Sequence, residues 1–221
     1  MTPVEFHPLR VVEVMPLTDE SVVVSFDVPP SLSRVFQFLP GQHVTLRAVV
    51  DGEDLRRSYS ICANANSDKL RVGIKRLPGG HFSTWATTTL RAGDVIDVMP
   101  PVGEFIIEPD PSEARRRVAL AAGSGITPVL SLVATTLETE PGSSWTVVFG
   151  NRTVNSVMFL EELEALKDRY PARLQLFHLL SREGSDLALL SGRIDSGKIE
   201  MIQSRLLGDR PVDGWFLCGP Y

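Results

Sequence analysis

The stretch from Val118 to Pro128 contains residues whose types and spacing suit phosphate binding. An apolar run, VALAA, is followed by the glycine-rich run GSGITP. This order predicts a buried strand, a glycine turn and a helix start, where free amides and the positive end of the helix dipole attract a diphosphate. We expect Thr127 to cap the helix and Pro128 to lie in its first turn, where a missing amide hydrogen is harmless.

A second interpretation stays open for this run, because any tight strand-to-helix connection can have such a composition. The dinucleotide pattern GxGxxG is also absent, since Pro128 occupies the place of the third glycine. Neither paired carboxylates nor a Ser/His/Asp arrangement accompanies the run. Cys62 and Cys218 form no CxxC or Cys/His cluster of the kind that zinc or an iron-sulfur centre needs. We therefore predict no metal site in this chain.

Composition favours two modest domains whose partner is a small molecule or a protein. The chain has 221 residues, of which 43% are hydrophobic, and a net charge of -5, so it has no general basic field for nucleic acid or an acidic membrane. The N-terminal segment MTPVEFHPLR lacks a signal-peptide pattern. The longest apolar stretch, 118–134, is interrupted by glycine and proline and falls short of the roughly 20 residues that a membrane helix needs. We expect cytoplasmic residence with reduced thiols.

The elements that must position these residues change in type along the chain. Up to residue 108 the pattern is short and β-rich, with turn-forming residues between many of the segments, which predicts a small antiparallel barrel. A short helix, 81–90, follows the pair Gly79-Gly80 and is expected to cover one end of it. The predicted strands are 10–15, 21–28, 43–50, 58–63, 70–75, 95–99 and 104–107.

The second half alternates between strands and helices, which indicates a parallel sheet with helices on both faces. Residues 109–112, PDPS, end the β pattern, and we place the domain boundary there, giving domains 1–110 and 111–221. The predicted strands are 117–122, 145–150, 173–180 and 214–218, and the predicted helices are 127–137, 157–170 and 196–206.

Four motifs in a fixed order resemble the ferredoxin-NADP reductase superfamily. They are RSYS at 57–60, GGHFS at 79–83, GSGITP at 123–128 and CGP at 218–220, and GxGxxP is that family's own pyrophosphate loop. The resemblance covers nearly the whole chain. It implies a β + α/β fold, with a six-stranded antiparallel flavin-binding barrel before a parallel-sheet nucleotide-binding domain. The stretches PGQHVTL, ELEALKDRYPARLQL and SGRID are most similar to reductase subunits of the phenylacetyl-CoA epoxidase type and related oxygenase reductases.

The resemblance implies a flavin site on the barrel. Arg57 pairs with the flavin phosphate and Tyr59 stacks on the isoalloxazine ring, which suits a guanidinium fork and a flat aromatic face. RSYS alone also fits an exposed arginine and an ordinary strand tyrosine. Ser60 is implied to hydrogen-bond near flavin N5, which gives it a catalytic role. The remaining implied flavin residues are Ser58, Ile74, Lys75, Gly80, His81, Phe82 and Ser83, with FAD implied rather than FMN.

A nicotinamide nucleotide is the second implied ligand. Ser181 and Arg182, after the third strand of the nucleotide domain, favour NADPH because its 2'-phosphate needs a donor or a cation, whereas Glu183 leaves NADH open. Cys218 lies beside the nicotinamide carbon that gives up hydride in the family, and we assign it a catalytic role. The other residues implied to contact this nucleotide are Gly123, Ser124, Gly125, Thr127, Asn151, Arg152, Gly219 and Pro220.

The implied reaction is hydride transfer from NAD(P)H to flavin, followed by release of single electrons to a 2Fe-2S centre that serves an oxygenase. Relatives continue beyond the CGP motif, and oxygenase reductases add an iron-sulfur domain, so we expect a C-terminal truncation at Tyr221 and a cluster in a missing domain or a ferredoxin partner. Alternative functions are a stand-alone flavin reductase, the reductase of a steroid or aromatic-ring oxygenase, and an electron-relay subunit that holds flavin without using NAD(P)H.

Overall fold

The computed structural model describes residues 5–184 and 187–220. Contacts divide the chain into two units. The first runs to Glu108 and also includes Leu130–Thr135, and the second contains Pro109–Val129 and the chain from Thr136 onwards. Among the described residues, no helix combines the length and the apolar composition needed to cross a membrane.

The first unit contains a six-stranded antiparallel sheet, as predicted. Its strand order is β4-β3-β6-β1-β2-β5. A single bridge between Ile61 and Val72 joins the end of β4 to β5, which closes the sheet into a barrel. The elements are β1 His7–Thr18, β2 Ser21–Asp27, β3 His43–Val50, β4 Glu53–Ser60, β5 Leu70–Lys75, α1 His81–Thr88 and β6 Val95–Val98.

Strand β4 begins earlier than the predicted 58–63 and ends at Ser60. Val50 pairs with Glu53, so β3 and β4 are joined by the two residues Asp51 and Gly52, both with positive φ. An Asp-Gly pair in this conformation forms the tight hairpin turn that matches the strand twist. The turn therefore fixes the register of β4, and alternation along β4 places Leu55 and Tyr59 against the barrel core.

The predicted strand 104–107 is wrong. The structure has only one bridge in this region, between Val102 and His43. Two prolines at 100 and 101 cannot donate ladder hydrogen bonds, and Gly103 has φ +129, which turns the chain out of an extended path.

The second unit contains a four-stranded parallel sheet of order β10-β7-β8-β9, and this fold class is also confirmed. The chain fills neighbouring positions from β7 to β9 and then returns to the other side of β7 for β10. Ligands in such sheets bind at the carboxyl ends of the strands where the order reverses. The elements that follow residue 115 are β7 Arg116–Ala122, α2 Ile126–Thr139, β8 Ser144–Asn151, α3 Leu160–Arg169, β9 Leu174–Leu180, α4 Ser196–Ile202 and β10 Gly214–Cys218. Residues 130–135 of α2 belong to the first unit.

Candidate cofactor-binding sites

The glycine-rich run lies at the point where the parallel sheet reverses its order. Strand β7 ends at Ala122, and Gly123–Gly125 forms one tight turn before α2 begins at Ile126. Gly123 has φ +55, a conformation that few residues other than glycine adopt without strain. The run therefore delivers the chain directly from a buried strand into a helix, which leaves the first amides of α2 facing the carboxyl edge of the sheet.

The two glycines on either side of this edge allow two distant segments to touch. A Cβ on Gly125 would collide with the backbone carbonyl of Cys218, and a Cβ on Gly219 would lie 2.9 Å from the Cβ of Ala122. The GSG turn thus packs directly on the CGP segment at the end of β10. Only glycine fits this approach, which gives both motifs a common physical cause.

Thr127 does not cap α2, contrary to our expectation. The N-cap is Gly125, and the buried Thr127 hydroxyl donates a hydrogen bond to the Ser124 carbonyl at 2.6 Å. Pro128 lies in the first turn, as predicted. Thr127 therefore holds the shape of the turn from within, while Ser124 is exposed at its surface.

Asn151 ends strand β8 with a buried carboxamide that has unmet hydrogen-bonding capacity. The residue is 8% exposed, and neither its side-chain oxygen nor its side-chain nitrogen has a partner among the described residues. Buried amides normally have hydrogen-bond partners, so this one is suited to a ligand that offers both a donor and an acceptor. Arg152, Ser181 and Arg182 lie close by in the chain or across the strands, and all three are exposed.

Cys218 lies at the end of β10 with a partly buried side chain. Burial raises the pKa of its thiol above the usual value, because the thiolate is poorly solvated there. The neutral thiol is a small apolar group at this edge. Gly219 and Pro220 follow it directly, as the motif requires.

In the first unit, Arg57 and Tyr59 lie on one face of β4, and Ser58 and Ser60 lie on the other. Tyr59 is partly buried, with its ring centroid 5.8 Å from that of Phe82. Burial raises the pKa of the Tyr59 phenol from 10.0 to about 12, against the opposing effect of the Arg57 charge. Tyr59 is therefore neutral, beside an exposed guanidinium.

The serines of the RSYS motif have different surroundings. The Ser58 hydroxyl lies 3.0 Å from the Thr45 hydroxyl on the exposed surface of β3 and β4. Ser60, opposite His43, is partly buried. The motif thus presents a cation and an aromatic ring on one face of β4, while the Ser58 hydroxyl lies on the exposed opposite face and Ser60 ends the strand.

Helix α1 begins beside this strand in a tight loop. Gly79 has φ +72 and Gly80 is the N-cap. The Ser83 hydroxyl accepts a hydrogen bond from the Leu77 amide and lies 3.2 Å from the Gly80 carbonyl, to which it donates. Its role in the structure is to hold the loop at the helix start, so a phosphate at this end would meet backbone amides first.

The other predicted flavin residues differ in their exposure. Phe82 and Ile74 are buried in the barrel core, so Ile74 offers only its backbone to a ligand. Lys75 is partly exposed. His81 is exposed, and its Nδ1 lies 3.9 Å from a Glu53 carboxylate oxygen.

Two features of the structure were missed by the sequence analysis. One is a cleft of about 670 Å³ in the first unit, lined by apolar Phe36, Phe38 and Leu39 and by polar residues such as Gln42 and Lys69. None of the predicted flavin residues lines it. The PGQ sequence at 40–42 and the run NANSD at 64–68 are local signals for turns at this cleft.

The other feature is His178 on β9, whose two ring nitrogens lack partners among the described residues. Burial lowers the pKa of His178, with a smaller opposing effect of the Glu164 charge. Its ring centroid lies 6.0 Å from that of Phe149. A lone histidine in an apolar strand gave no indication of this environment.

Comparison with known proteins covers both units. Residues 8–107 match the oxidoreductase FAD-binding domain, and residues 119–221 match the oxidoreductase NAD-binding domain. One of the subunits of 1,2-phenylacetyl-CoA epoxidase from Escherichia coli K12 is 46% identical over 97% of this chain and 60% of its own length. The chain belongs to the ferredoxin reductase family of oxidoreductases. The predictions of an enzyme with FAD- and NAD(P)-binding domains are thereby confirmed.

Further relatives of this chain include reductase components of other oxygenase systems. The ferredoxin reductase component of 3-ketosteroid-9-alpha-monooxygenase from Rhodococcus rhodochrous is 36% identical over 78% of this chain and 48% of its own length. Among solved structures, a cytochrome P450 reductase from Amycolatopsis matches with a TM-score of 0.80 and 25% identity, over all of this chain and 64% of that one. The chain thus spans about half to three fifths of the length of these two curated relatives.

The residues present fit the cofactors of the ferredoxin reductase family. In the second unit, the GSG turn lets a nucleotide come close to the backbone, and the carboxamide of Asn151, which has no partner among the described residues, can hydrogen-bond to it. In the first unit, Arg57 offers a guanidinium to a phosphate and Tyr59 a neutral aromatic face to a flat ring system.

Proposed function

We propose that the chain is the flavin- and nicotinamide-binding part of a reductase that takes hydride from NAD(P)H onto FAD and delivers single electrons to a 2Fe-2S centre. The observation on which this depends is the GSG turn packed on the CGP segment at the reversal of the parallel sheet. A pure electron relay would not require this close packing of the GSG turn on the CGP segment, because it would bind no nicotinamide nucleotide.

The electron acceptor is proposed to serve an oxygenase of the phenylacetyl-CoA epoxidase type. This proposal is supported by the 46% identity to one of the subunits of that enzyme over nearly the whole chain. The cluster itself is proposed to lie in a separate domain or a ferredoxin, because two cysteines are fewer than the four thiolates that hold a 2Fe-2S cluster. We accordingly propose that the protein acts in the breakdown of phenylacetate in the cytoplasm.

Bound FAD would supply the hydride-accepting and one-electron chemistry. The chain's own residues bind and orient. Arg57 would neutralise phosphate charge, Tyr59 would provide a neutral ring face, and Ser60 is proposed to donate a hydrogen bond near flavin N5. Cys218 would present a neutral thiol to the nicotinamide, which adds no charge there.

NADPH is proposed as the preferred hydride donor. Arg152 and Arg182 are both exposed, and their backbones are hydrogen-bonded to each other, so two guanidinium-bearing residues are adjacent at the carboxyl edge of the sheet. Ser181 adds a hydroxyl. A 2'-phosphate needs such donors, whereas the ribose hydroxyl of NADH does not.

The experiment is anaerobic reduction of the FAD-loaded protein. We expect a yellow preparation to bleach on addition of NADPH and to recover its colour with an added electron acceptor, as followed by absorbance. Yellow protein that does not bleach with NADPH or NADH would contradict the proposal in favour of a relay. Protein that takes up no flavin would contradict both functions.

A further inference from the structure

Three hydrogen bonds join the end of β8 and the loop after it to the loop after β9. Two of them connect backbone groups, and the third involves a side chain. The Ser181 amide donates to the Asn151 carbonyl, the Arg182 amide donates to the Arg152 carbonyl, and the Val154 amide donates to a Glu183 carboxylate oxygen, each at 2.9 Å. The first two contacts extend the ladder between the strands. The third replaces the next rung with a side chain.

Glu183 binds the first amide of a short helical turn, Val154–Ser156. The same end of that turn carries a capping box, in which Thr153 and Ser156 exchange side-chain and backbone hydrogen bonds. An amide at a helix start has no partner within the helix, and a carboxylate is the acceptor that satisfies it best. The partly buried Glu183 therefore connects the loop bearing Ser181 and Arg182 to the loop bearing Arg152.

We propose that Glu183 is a positioning residue that keeps Ser181, Arg182 and Arg152 in register for the nucleotide. This inference rests on the proposed use of NADPH and deepens it. The position of Glu183 next to Arg182 suggests, from charge alone, that it repels a 2'-phosphate. Its contact with Val154 gives the opposite expectation, because the carboxylate is used within the protein to hold the phosphate-binding residues in place.

The two expectations differ in sign, and two substitutions separate them. Glu183→Ala removes both the charge and the acceptor, whereas Glu183→Gln removes the charge and keeps an acceptor oxygen. If Glu183 holds the loops, Glu183→Ala raises the KM for NADPH on the order of tenfold, the effect of one lost charge-assisted hydrogen bond, and changes the KM for NADH less. Glu183→Gln restores a KM close to that of the wild type, and kcat is unchanged in both variants.

The experiment uses the FAD-loaded protein in steady-state assays with NADPH and NADH, together with hydrogen exchange of the Val154 amide without nucleotide. Glu183→Ala is expected to accelerate that exchange, and Glu183→Gln to leave it nearly unchanged. Glu200→Ala, an exposed acid on α4, is the matched control. Arg182→Ala is the reference for loss of a phosphate contact.

A fall in the KM for NADPH in both Glu183 variants would overturn the inference in favour of charge repulsion. Unchanged Val154 exchange in Glu183→Ala would overturn the contact itself. If wild-type protein used neither nucleotide while the exchange difference appeared, the proposed function would fail and the loop contact would stand. Failure of the two proposals is therefore distinguishable.

Discussion

At the scale of single residues, Asn151 is a buried polar side chain whose proposed role is binding rather than stabilisation. Its carboxamide is buried at the end of β8 without partners among the described residues. An unsatisfied buried polar group costs roughly 1–3 kcal/mol of folding free energy. The folded protein is thus expected to be less stable than it would be with an apolar residue of the same size at position 151. A bound nucleotide is proposed to supply the missing hydrogen bonds.

Replacing Asn151 with leucine should therefore separate stability from binding. We expect Asn151→Leu to raise the free energy of unfolding of the ligand-free protein by about 1 kcal/mol. The same substitution should raise the KM for NADPH roughly tenfold, because it removes a hydrogen-bonding group from the site. Urea unfolding and steady-state assays measure the two effects. Gln203→Leu, at an exposed amide of the same unit, is the control, and a loss of stability in Asn151→Leu would show that the carboxamide has a structural role instead.

Residue types predicted the backbone features of the proposed site better than they predicted its side-chain contacts. The four motifs could be found in sequence because glycine and proline at fixed places reveal what the backbone must do, as at Gly125 and Gly219. The partner of Glu183 could not be predicted, since Val154 belongs to a different loop and meets it only when β8 and β9 pair. The unsatisfied state of Asn151 depends on packing around it and is equally invisible in sequence.

At the scale of elements, a buried ion pair ties the start of β7 to the end of α2. Arg117 donates to both carboxylate oxygens of Glu140, at 2.5 and 3.3 Å, and the Ser143 hydroxyl donates to one of them at 2.6 Å. Arg117 is 7% exposed and Glu140 is fully buried. Breaking one side of such a pair leaves an uncompensated charge in a medium of low polarity.

The prediction for this element is a large loss of stability. We expect Glu140→Gln to lower the free energy of unfolding by about 3 kcal/mol, because the Arg117 guanidinium loses its counter-charge while it stays buried. Equilibrium urea unfolding is the measurement. The control is Glu113→Gln, which breaks an ion pair with Arg115 at the surface and should change stability little because water screens such pairs. Similar losses in both variants would show that the burial of Glu140 does not matter.

Element boundaries were predicted correctly where the hydrophobic pattern was strong. They were missed where a turn determines where a strand begins or ends. Strands β7 and β8 contain short apolar runs bounded by turn-forming residues, which is the pattern of a buried strand. In contrast, the first half of β4, EDLR, has the composition of a loop and becomes a strand because the Asp51-Gly52 turn brings it beside β3. Residues 104–107 have the composition of a strand, but the prolines and Gly103 before them prevent pairing.

At the scale of the whole molecule, each unit has its own core and its own set of proposed site residues, so each ligand should leave a separate footprint in hydrogen exchange. At about 100 times its dissociation constant, a ligand stabilises the bound state by about 2.7 kcal/mol, which slows exchange through unfolding roughly a hundredfold. We expect FAD to protect β4 and the start of α1. NADP+ is expected to protect the amides of residues 123–127, 151–154 and 181–183.

The cleft lined by Phe36, Phe38 and Leu39 is a second place in the first unit where a ligand could bind, and the hydrogen-exchange footprint of FAD distinguishes it from the RSYS strand. Peptides from 33–42 and 65–70 that line it serve as the internal control, because none of the predicted flavin residues belongs to them. Protection by FAD that is confined to those peptides would move the flavin site from RSYS to the cleft. Absence of any NADP+ footprint would remove the nucleotide site.

The contact between Gly125 and the Cys218 carbonyl has a consequence for anyone who transfers this site to another scaffold. A graft of residues 118–128 alone would arrive without the surface against which its turn was shaped. The segment 214–220 has to be transferred together with it. Homologues should tolerate a different residue at position 125 or 218 only when the residue at the other position leaves room for it.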